Sequence, residues 1–588
     1  MNERFSGGAA NIARRMRILP RRSALRRRRG LLAIVAVVIG YALVMQALGW
    51  AQTSYFALVR ALSHGTAHID KYHWESRDES FHKGHFYSVK APGMPYLVLP
   101  LYKVLHAAGA ERTSKWAAGN AHRHGSFRWY RAGVPTGLYG NDLDRARRVR
   151  AQIEDETPMV WALGLLGVVA PAALLLLLVR ALGERVAPGF GTISAVTIGL
   201  GTLIMPFATL FFSHVLSAML GFAAFALLWR EREGPPKLAL VAAAGLLAGL
   251  AVTCEYPLAI AGAIVGLYAI SRGNALRRGL VYTAGVAAGV APLLLYNLWA
   301  FGSMTHFSYA DAVKVPGFTG HDVLGLNDGG FFGIGMPSPR IALELLFSSK
   351  GLLTLSPVLA MAVAGLVVMY RRGRRPEALT IGGVALAFLV YNSGYYLPFG
   401  GGSPGPRFLI PILPFLGVPL AVAYRRWSAL TIALAIPSIL MAVAATVTLP
   451  MIGNGDTGYW AHVISIGRFE QTVLTVLGAG NGWLALSPFL AAVTAGMILA
   501  TLATPRMRLA RQATVAGGAV FAWGFLATLA PRIPANEIGP THDVLPLVAA
   551  CVVASLLVLS LGSGIELRPR LEALLGRRRE AQRGEATS

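Results

Sequence analysis

Apolar runs of about 20 residues, the length a helix needs to cross the hydrocarbon core of a bilayer, recur along this 588-residue chain. In lipid every backbone polar group must find a partner inside the protein, so only helices or a closed barrel can span. The residue alternation of a membrane barrel is absent. The runs therefore predict an all-α polytopic membrane protein with about fourteen spanning helices (eleven at the least). They fall near 31–51, 158–180, 190–208, 212–230, 237–253, 256–271, 279–300, 350–370, 378–396, 407–424, 428–449, 485–504, 514–531 and 542–562. Composition agrees: 54% of residues are hydrophobic and only 14% charged.

The formal charge of +26 invites a nucleic-acid reading. The basic residues, however, gather at the ends of spans, as in Arg26–Arg29 before the first and Arg577–Arg579 after the last. That pattern is expected of cytoplasmic loops that orient helices and meet anionic lipid. No nucleic-acid partner is expected. Basic loops at Arg180–Arg185, Arg230–Lys237, Arg272–Arg278, Arg371–Arg375, Arg425–Arg426 and Arg506–Arg511 alternate consistently if all face the cytoplasm. Both termini then lie inside, in a multi-pass protein of the cytoplasmic membrane. Residues 1–30 form a basic cytoplasmic segment, 31–562 the transmembrane domain and 563–588 a basic cytoplasmic tail. The first span is longer than a signal-peptide core and is expected to stay as an anchor. Cys254 and Cys551 lie far apart in or beside apolar spans and suggest neither a disulfide framework nor a zinc site.

This topology makes residues 52–157 one long extracytoplasmic loop. The stretch 93–109 is apolar, but it is short and carries Pro95, Pro100 and Lys103, so it is expected to lie at the outer surface. The loop's later part, from Glu111 to Glu156, has no evident periodicity. There is no internal repeat and no Walker or dinucleotide glycine fingerprint. Gly400–Pro406 reads as an external turn.

Within the loop, residues 66–93 concentrate ionisable and aromatic side chains: Asp70, Glu75, Asp78, Glu79, then Lys90-Ala91-Pro92-Gly93. Other polar residues fall on the same outer side. They are His214, Glu255, Arg340, Lys350, Tyr395, Tyr396 and Arg407. Ionisable groups near lipid are costly unless they pair or line a wet cavity, so their convergence predicts such a cavity. Each has a plainer reading as well. Glu255 would serve as a helix cap, His214 as an interfacial histidine, Arg340, Lys350 and Arg407 as snorkelling anchors, and Asp70 as a partner of Lys71 or His73.

A carboxylate with nearby cations suits displacement at a phosphate-linked carbon. Asp70 is the expected base, with Asp78 the second choice. Lys90, Arg407, Lys350 and Arg340 are the expected phosphate holders, arginine being suited to bidentate contact. His85, Tyr87, His214, Glu255 and Tyr396 are expected to touch substrate, with Trp74, Phe86 and Tyr395 as further stacking faces. Asp70, Asp78, Glu79 and Glu255 are also oxygen ligands of the kind that hold a divalent cation; their spacing leaves open whether they meet.

The acidic residue after the first span, followed by Gly84-His85-Phe86-Tyr87-Ser88 and Lys90-Ala91-Pro92-Gly93, resembles the first external loop of the GT-C superfamily. The bacterial branch related to protein O-mannosyltransferases and aminoarabinose transferases is the nearest in pattern. Phe212-Ser213-His214, Glu255-Tyr256-Pro257, Gly330-Phe331-Phe332-Gly333, Pro337-Ser338-Pro339, Ser356-Pro357 and Gly405-Pro406-Arg407 extend the resemblance to uncharacterised bacterial members, over about residues 30–425. Two departures stand out. Asp70-Lys71 replaces the Asp-Glu pair of mannosyltransferases, a pair found instead at Asp78-Glu79, and Ala91 replaces the first proline of a Lys-Pro-Pro element.

The resemblance implies an inverting transfer of sugar from a polyprenyl-phosphate donor to an envelope glycan, glycolipid or protein at the outer face, with a loop carboxylate as base. A transporter or flippase of lipid-linked precursors is the alternative. It should show repeats and polar groups at mid-membrane, which this sequence does not. A non-catalytic scaffold is a third reading and would tolerate changes at Asp70 and Lys90.

Overall fold

The computed structural model describes residues 6–124, 143–312, 333–451, 457–533 and 543–564. Across them the chain is a predominantly helical, polytopic membrane protein. Seven helices are long and apolar enough to cross a bilayer, and the bent pair Pro339–Leu355 and Val358–Arg371 brings the number to eight. Each of the fourteen expected segments carries helix, but several differ in form. The basic tail from residue 565, the loop residues 125–142 and Gly330–Phe332 lie outside the described residues.

The first helix, Ser6–Leu43, stops eight residues before the expected end. Val44 and Met45 instead pair antiparallel with Thr472 and Gln471. Gln46 turns inward there and donates to Thr209 Oγ1 and to the Thr446 carbonyl, both at 2.9 Å. A separate helix then runs from Trp50 to Ser63. Further on, Gly191–Leu200, Leu238–Cys254 and Leu258–Ile270 are shorter apolar helices of 10–17 residues. The expected span at 350–370 is a helix pair bent by 90°, its break falling at Ser356-Pro357, where proline disfavours helix in the preceding residue.

The described parts of residues 52–157 are built rather than loose. Arg60 on the helix Trp50–Ser63 is buried and paired with Glu75 and Glu156. Its guanidinium lies over the rings of Phe56 and Tyr72, at 4.4 and 3.9 Å. The apolar stretch after Lys90 forms the helix Gly93–Ala107, whose Tyr102 ring packs edge-on against Phe56 at 5.9 Å. Glu79–His82 and His85–Ser88 form a hairpin. Both residues of its turn, Lys83 and Gly84, have positive φ (49° and 89°), as a tight two-residue hairpin turn demands.

Close helix packing fixes this loop against the membrane domain. The helices Leu238–Cys254 and Ala275–Phe301 meet through Gly245, Gly249, Gly285 and Gly289. A Cβ at Gly249 would sit 2.3 Å from the Val286 carbonyl oxygen. Small residues permit that approach, and Thr253 seals the upper end by donating to the Gly289 carbonyl at 2.8 Å. Glu255, at the end of the first helix, is thereby held near the segment that follows the second.

Candidate active site

Several of the expected polar residues and the segment 89–91 enclose a cavity of about 380 Å³. Its wall is chiefly aromatic and aliphatic, with Phe212, Tyr256, Tyr309, Tyr391, Tyr395 and Phe408 as the large faces. The charged residues lining it are Lys90, Glu255 and Arg407, with His214 beside them.

Lys90 arrives there because of Gly93. A Cβ at Gly93 would lie 2.6 Å from Cys254 Sγ and 2.8 Å from the Cys254 nitrogen. Only glycine lets the Lys-Ala-Pro-Gly turn press onto the end of the helix Leu238–Cys254. Hairpin register then chooses the partner of Lys90. With Glu79 opposite Ser88, the next residue back, Asp78, stands at Val89 and Lys90. Its carbonyl accepts from the Val89 amide at 3.4 Å, and its Oδ2 lies 2.8 Å from Lys90 Nζ. Ser54 on the helix Trp50–Ser63 braces the pair by donating to the Asp78 carbonyl at 2.5 Å. Glu79, the neighbour, is buried. Burial raises its carboxyl well above the usual range; Arg77 lowers it and Asp78 raises it further.

Glu255 sits in a compact chain of donors. Ser213 donates to its Oε1, His214 Nδ1 lies 3.1 Å from the same oxygen and the Tyr55 hydroxyl 3.4 Å away. Tyr55 and Ser213 hydroxyls are themselves 2.5 Å apart. Burial alone would raise this carboxyl, but His214, Ser213 and Lys90 outweigh it and hold Glu255 down to about 2.

Arg407 opens a short 3-10 turn, Arg407–Ile412, after the Gly400–Pro406 loop. It is 9% exposed. Its guanidinium lies 5.4 Å from the Phe212 ring centroid and 5.3 Å from that of Phe408. Among the described residues it has neither an ion pair nor a hydrogen bond, and Nε is buried without a partner. Burial pushes the Tyr395 hydroxyl up to about 12; Arg407 opposes the rise, and Asp78 and Glu255 add to it.

The other expected residues are elsewhere. Asp70 is turned away from the cavity. Its Oδ1 accepts from the Phe86 amide at 2.6 Å, and its Oδ2 lies 2.7 Å from His85 Nδ1 and 3.0 Å from His68 Nδ1. These contacts overcome burial and lower its carboxyl. His85 is therefore Asp70's neighbour and lines no part of the cavity. Asp70 also joins no cluster with Asp78, Glu79 or Glu255 that would hold a cation. Tyr87 is buried against Phe301, with centroids 4.8 Å apart. Phe86 stacks on His73 at 4.1 Å, and Trp74 packs tilted against the same ring at 4.2 Å. Tyr396 stands behind Tyr395, edge to face at 4.8 Å. Lys350 is buried under the Gly405 turn, its carbonyl 3.2 Å from where a Gly405 Cβ would be. Arg340 is exposed and pairs with Glu344 one helical turn on, at 3.0 Å. The cavity also uses residues that the sequence did not single out: Tyr55, Tyr309 and Tyr391. The polar run Gln52-Thr53-Ser54-Tyr55 inside an apolar stretch was the available signal for the first.

The chain matches no family model and no curated protein. Among solved structures it is similar to ArnT from Cupriavidus metallidurans. In the apo state that protein is 16% identical over 88% of this chain and 83% of its own, with TM-score 0.40. Bound to undecaprenyl phosphate the values are 15%, 90%, 87% and 0.41. It is also similar to the Archaeoglobus fulgidus oligosaccharyltransferase in the apo form, 14% identical over 82% of this chain and 57% of that one, with TM-score 0.36.

Proposed function

We propose that the protein is an inverting glycosyltransferase of the GT-C kind. It moves a sugar from a polyprenyl-phosphate donor to an envelope glycan, glycolipid or protein at the outer face of the cytoplasmic membrane. The observation that carries this reading is Arg407: a buried guanidinium, free of any carboxylate among the described residues, inside a largely apolar chamber. An unneutralised buried charge is costly. It makes sense where a ligand brings the anion.

Arg407 and Lys90 hold the donor phosphate from two sides of the cavity, and the aromatic wall takes the isoprenoid and the sugar faces. Asp78, rather than Asp70, is the base, since it is the carboxylate paired with Lys90, which lines the cavity. Asp78 accepts the acceptor hydroxyl's proton as that oxygen attacks the sugar carbon. The carbon–oxygen bond to phosphate breaks, and polyprenyl phosphate leaves with its charge stabilised by the two cations. The Tyr55–Ser213–Glu255–His214 chain fixes the floor of the site and faces the sugar. Lys350, Arg340, His85 and Tyr87 have no part in this reading.

The test is sugar transfer from a panel of radiolabelled polyprenyl-phosphate sugars, using membranes with wild-type protein and a cell-envelope extract as acceptor. Transfer that Asp78→Asn abolishes and Asp70→Asn retains is the expected result. Transfer lost in Asp70→Asn and kept in Asp78→Asn would reverse the assignment of the base. Absence of transfer from every donor, with translocation of lipid-linked sugar in proteoliposomes, would replace the enzyme with a lipid transporter.

A further inference from the structure

We propose that His82, His306 and Asp311 form a binding site for one divalent transition-metal ion of the zinc type, which ties the loop hairpin to the wall of the cavity. The three residues come from two distant parts of the chain. His82 ends the first hairpin strand, beside the Lys83-Gly84 turn. His306 and Asp311 lie in the segment after the helix Ala275–Phe301, Asp311 closing a 3-10 turn, Ser308–Asp311. One ligand atom from each falls within 4.8 Å of the others. Asp311 Oδ2 is 2.9 Å from His82 Nδ1 and 2.5 Å from His306 Nε2, and the two imidazole centroids are 4.7 Å apart.

The donor set points to the ion. Two imidazole nitrogens and one carboxylate oxygen suit zinc and its neighbours in the first transition row, whereas calcium and magnesium take oxygen sets. Bonds of about 2.0–2.2 Å to a tetrahedral ion place its donors a little over 3 Å apart, so small outward shifts convert the present arrangement to coordination. Asp311 is fully buried, His82 13% and His306 23% exposed at the side chain. Asp311 Oδ2 faces both imidazoles at once, so a single ion can meet all three residues. The other His/Asp trio of the loop, His68, Asp70 and His85, is a poorer cage. Its side chains are 38–48% exposed, and an amide already occupies one Asp70 oxygen.

Position gives the ion its effect. Phe307 and Tyr309 line the cavity from the same short segment as His306 and Asp311, and the hairpin carrying His82 also carries Asp78 toward Lys90. A bound ion would set that wall at a fixed distance from the Asp78–Lys90 pair. The site is defined by its own ligands and does not depend on the proposed transfer reaction.

The test uses the full-length protein in detergent, purified without a polyhistidine tag, stripped with a chelator and titrated with Co²⁺. The expected result is saturation at one equivalent, with the visible d–d bands of a low-coordinate nitrogen/oxygen site, and displacement by Zn²⁺. His82→Ala and His306→Ala should each lose the bands, and His68→Ala should keep them. A wild-type protein that takes up neither Co²⁺ nor Zn²⁺ above background overturns the proposal without recourse to any variant. Loss of the bands in His68→Ala with retention in His306→Ala would move the ion to the other trio and overturn it equally.

Discussion

The two ends of the helix Ala275–Phe301 handle buried charge in opposite ways. Near its start, Arg278 makes a bidentate pair with Glu231, its Nη1 and Nη2 at 3.0 and 2.9 Å from the two carboxylate oxygens, and Nε donates to the Ala269 carbonyl at 2.7 Å. Arg272 adds a second cation to the same carboxylate. Every strong donor has an acceptor inside the protein. Beyond its far end, across the cavity, Arg407 is buried about as deeply as Arg278 and rests on two phenyl rings. The first arrangement is complete without a ligand, whereas the second is not. A buried arginine by itself therefore says little; its inventory of partners separates a fastener from a receptor.

The largest effect should come from Asp78, the carboxylate paired with Lys90. Asp78→Asn keeps shape and removes the base, and transfer should fall by about 10²–10⁴-fold, with the thermal unfolding midpoint in detergent nearly unchanged. A variant that retains wild-type turnover would remove Asp78 from the chemistry and pass the role of base to another carboxylate, Glu255 being one that lines the cavity.

Next comes the fastener. Arg278→Ala leaves Glu231, whose side chain is fully buried, without its bidentate partner, a change expected to cost about 3–5 kcal/mol. Thermal unfolding should show a clear drop, while the folded fraction binds donor as the wild type does. Equal stability in the variant would mean that the two ends are not different in kind.

Arg407→Ala should behave in the opposite sense. Loss of a charge-assisted contact to phosphate weakens donor binding by about 1.5–3 kcal/mol, roughly 10–100-fold, measured by titration with polyprenyl phosphate. Because no partner among the described residues is orphaned, stability should hold or rise. A variant that unfolds readily and binds donor normally would make Arg407 another fastener.

Much of this was legible in the sequence. Length and apolarity give the helical membrane fold, and the convergence of Lys90, His214, Glu255 and Arg407 follows from placing polar residues on one side of the spans. What stayed hidden was register. Asp70 and Asp78 are both acidic, both early in the loop and both upstream of Lys90. The Lys83-Gly84 turn decides between them, since it sets Glu79 against Ser88 and so Asp78 against Lys90. Shifts of that kind are invisible to composition, because a strand's side chains change face with every residue. The break in the first segment was hidden for a related reason. It occurs within largely apolar sequence, where contacts such as Gln46 to the Thr446 carbonyl stop a helix that hydropathy would extend, whereas the break in the eighth falls at Ser356-Pro357.

The smallest effect should fall on Asp70, and it tests the register directly. Its backbone and histidine contacts lower the carboxyl in the folded protein. A group with a lowered folded-state value adds stability above the ordinary carboxylate range and loses it as pH falls through the folded-state value. Asp70→Asn should therefore leave stability near neutral pH slightly reduced and flatten the acid limb of the unfolding curve. With 38% of the side chain exposed, solvent screening keeps the change well under about 1 kcal/mol. Transfer should stay within about twofold of wild type, as for a surface substitution away from the reacting atoms. A loss in Asp70→Asn as deep as that in Asp78→Asn would mean that the hairpin swings during turnover and brings both carboxylates to the cavity. The opposite outcome leaves a single carboxylate beside Lys90 and ties the chemistry to the one register that places it there.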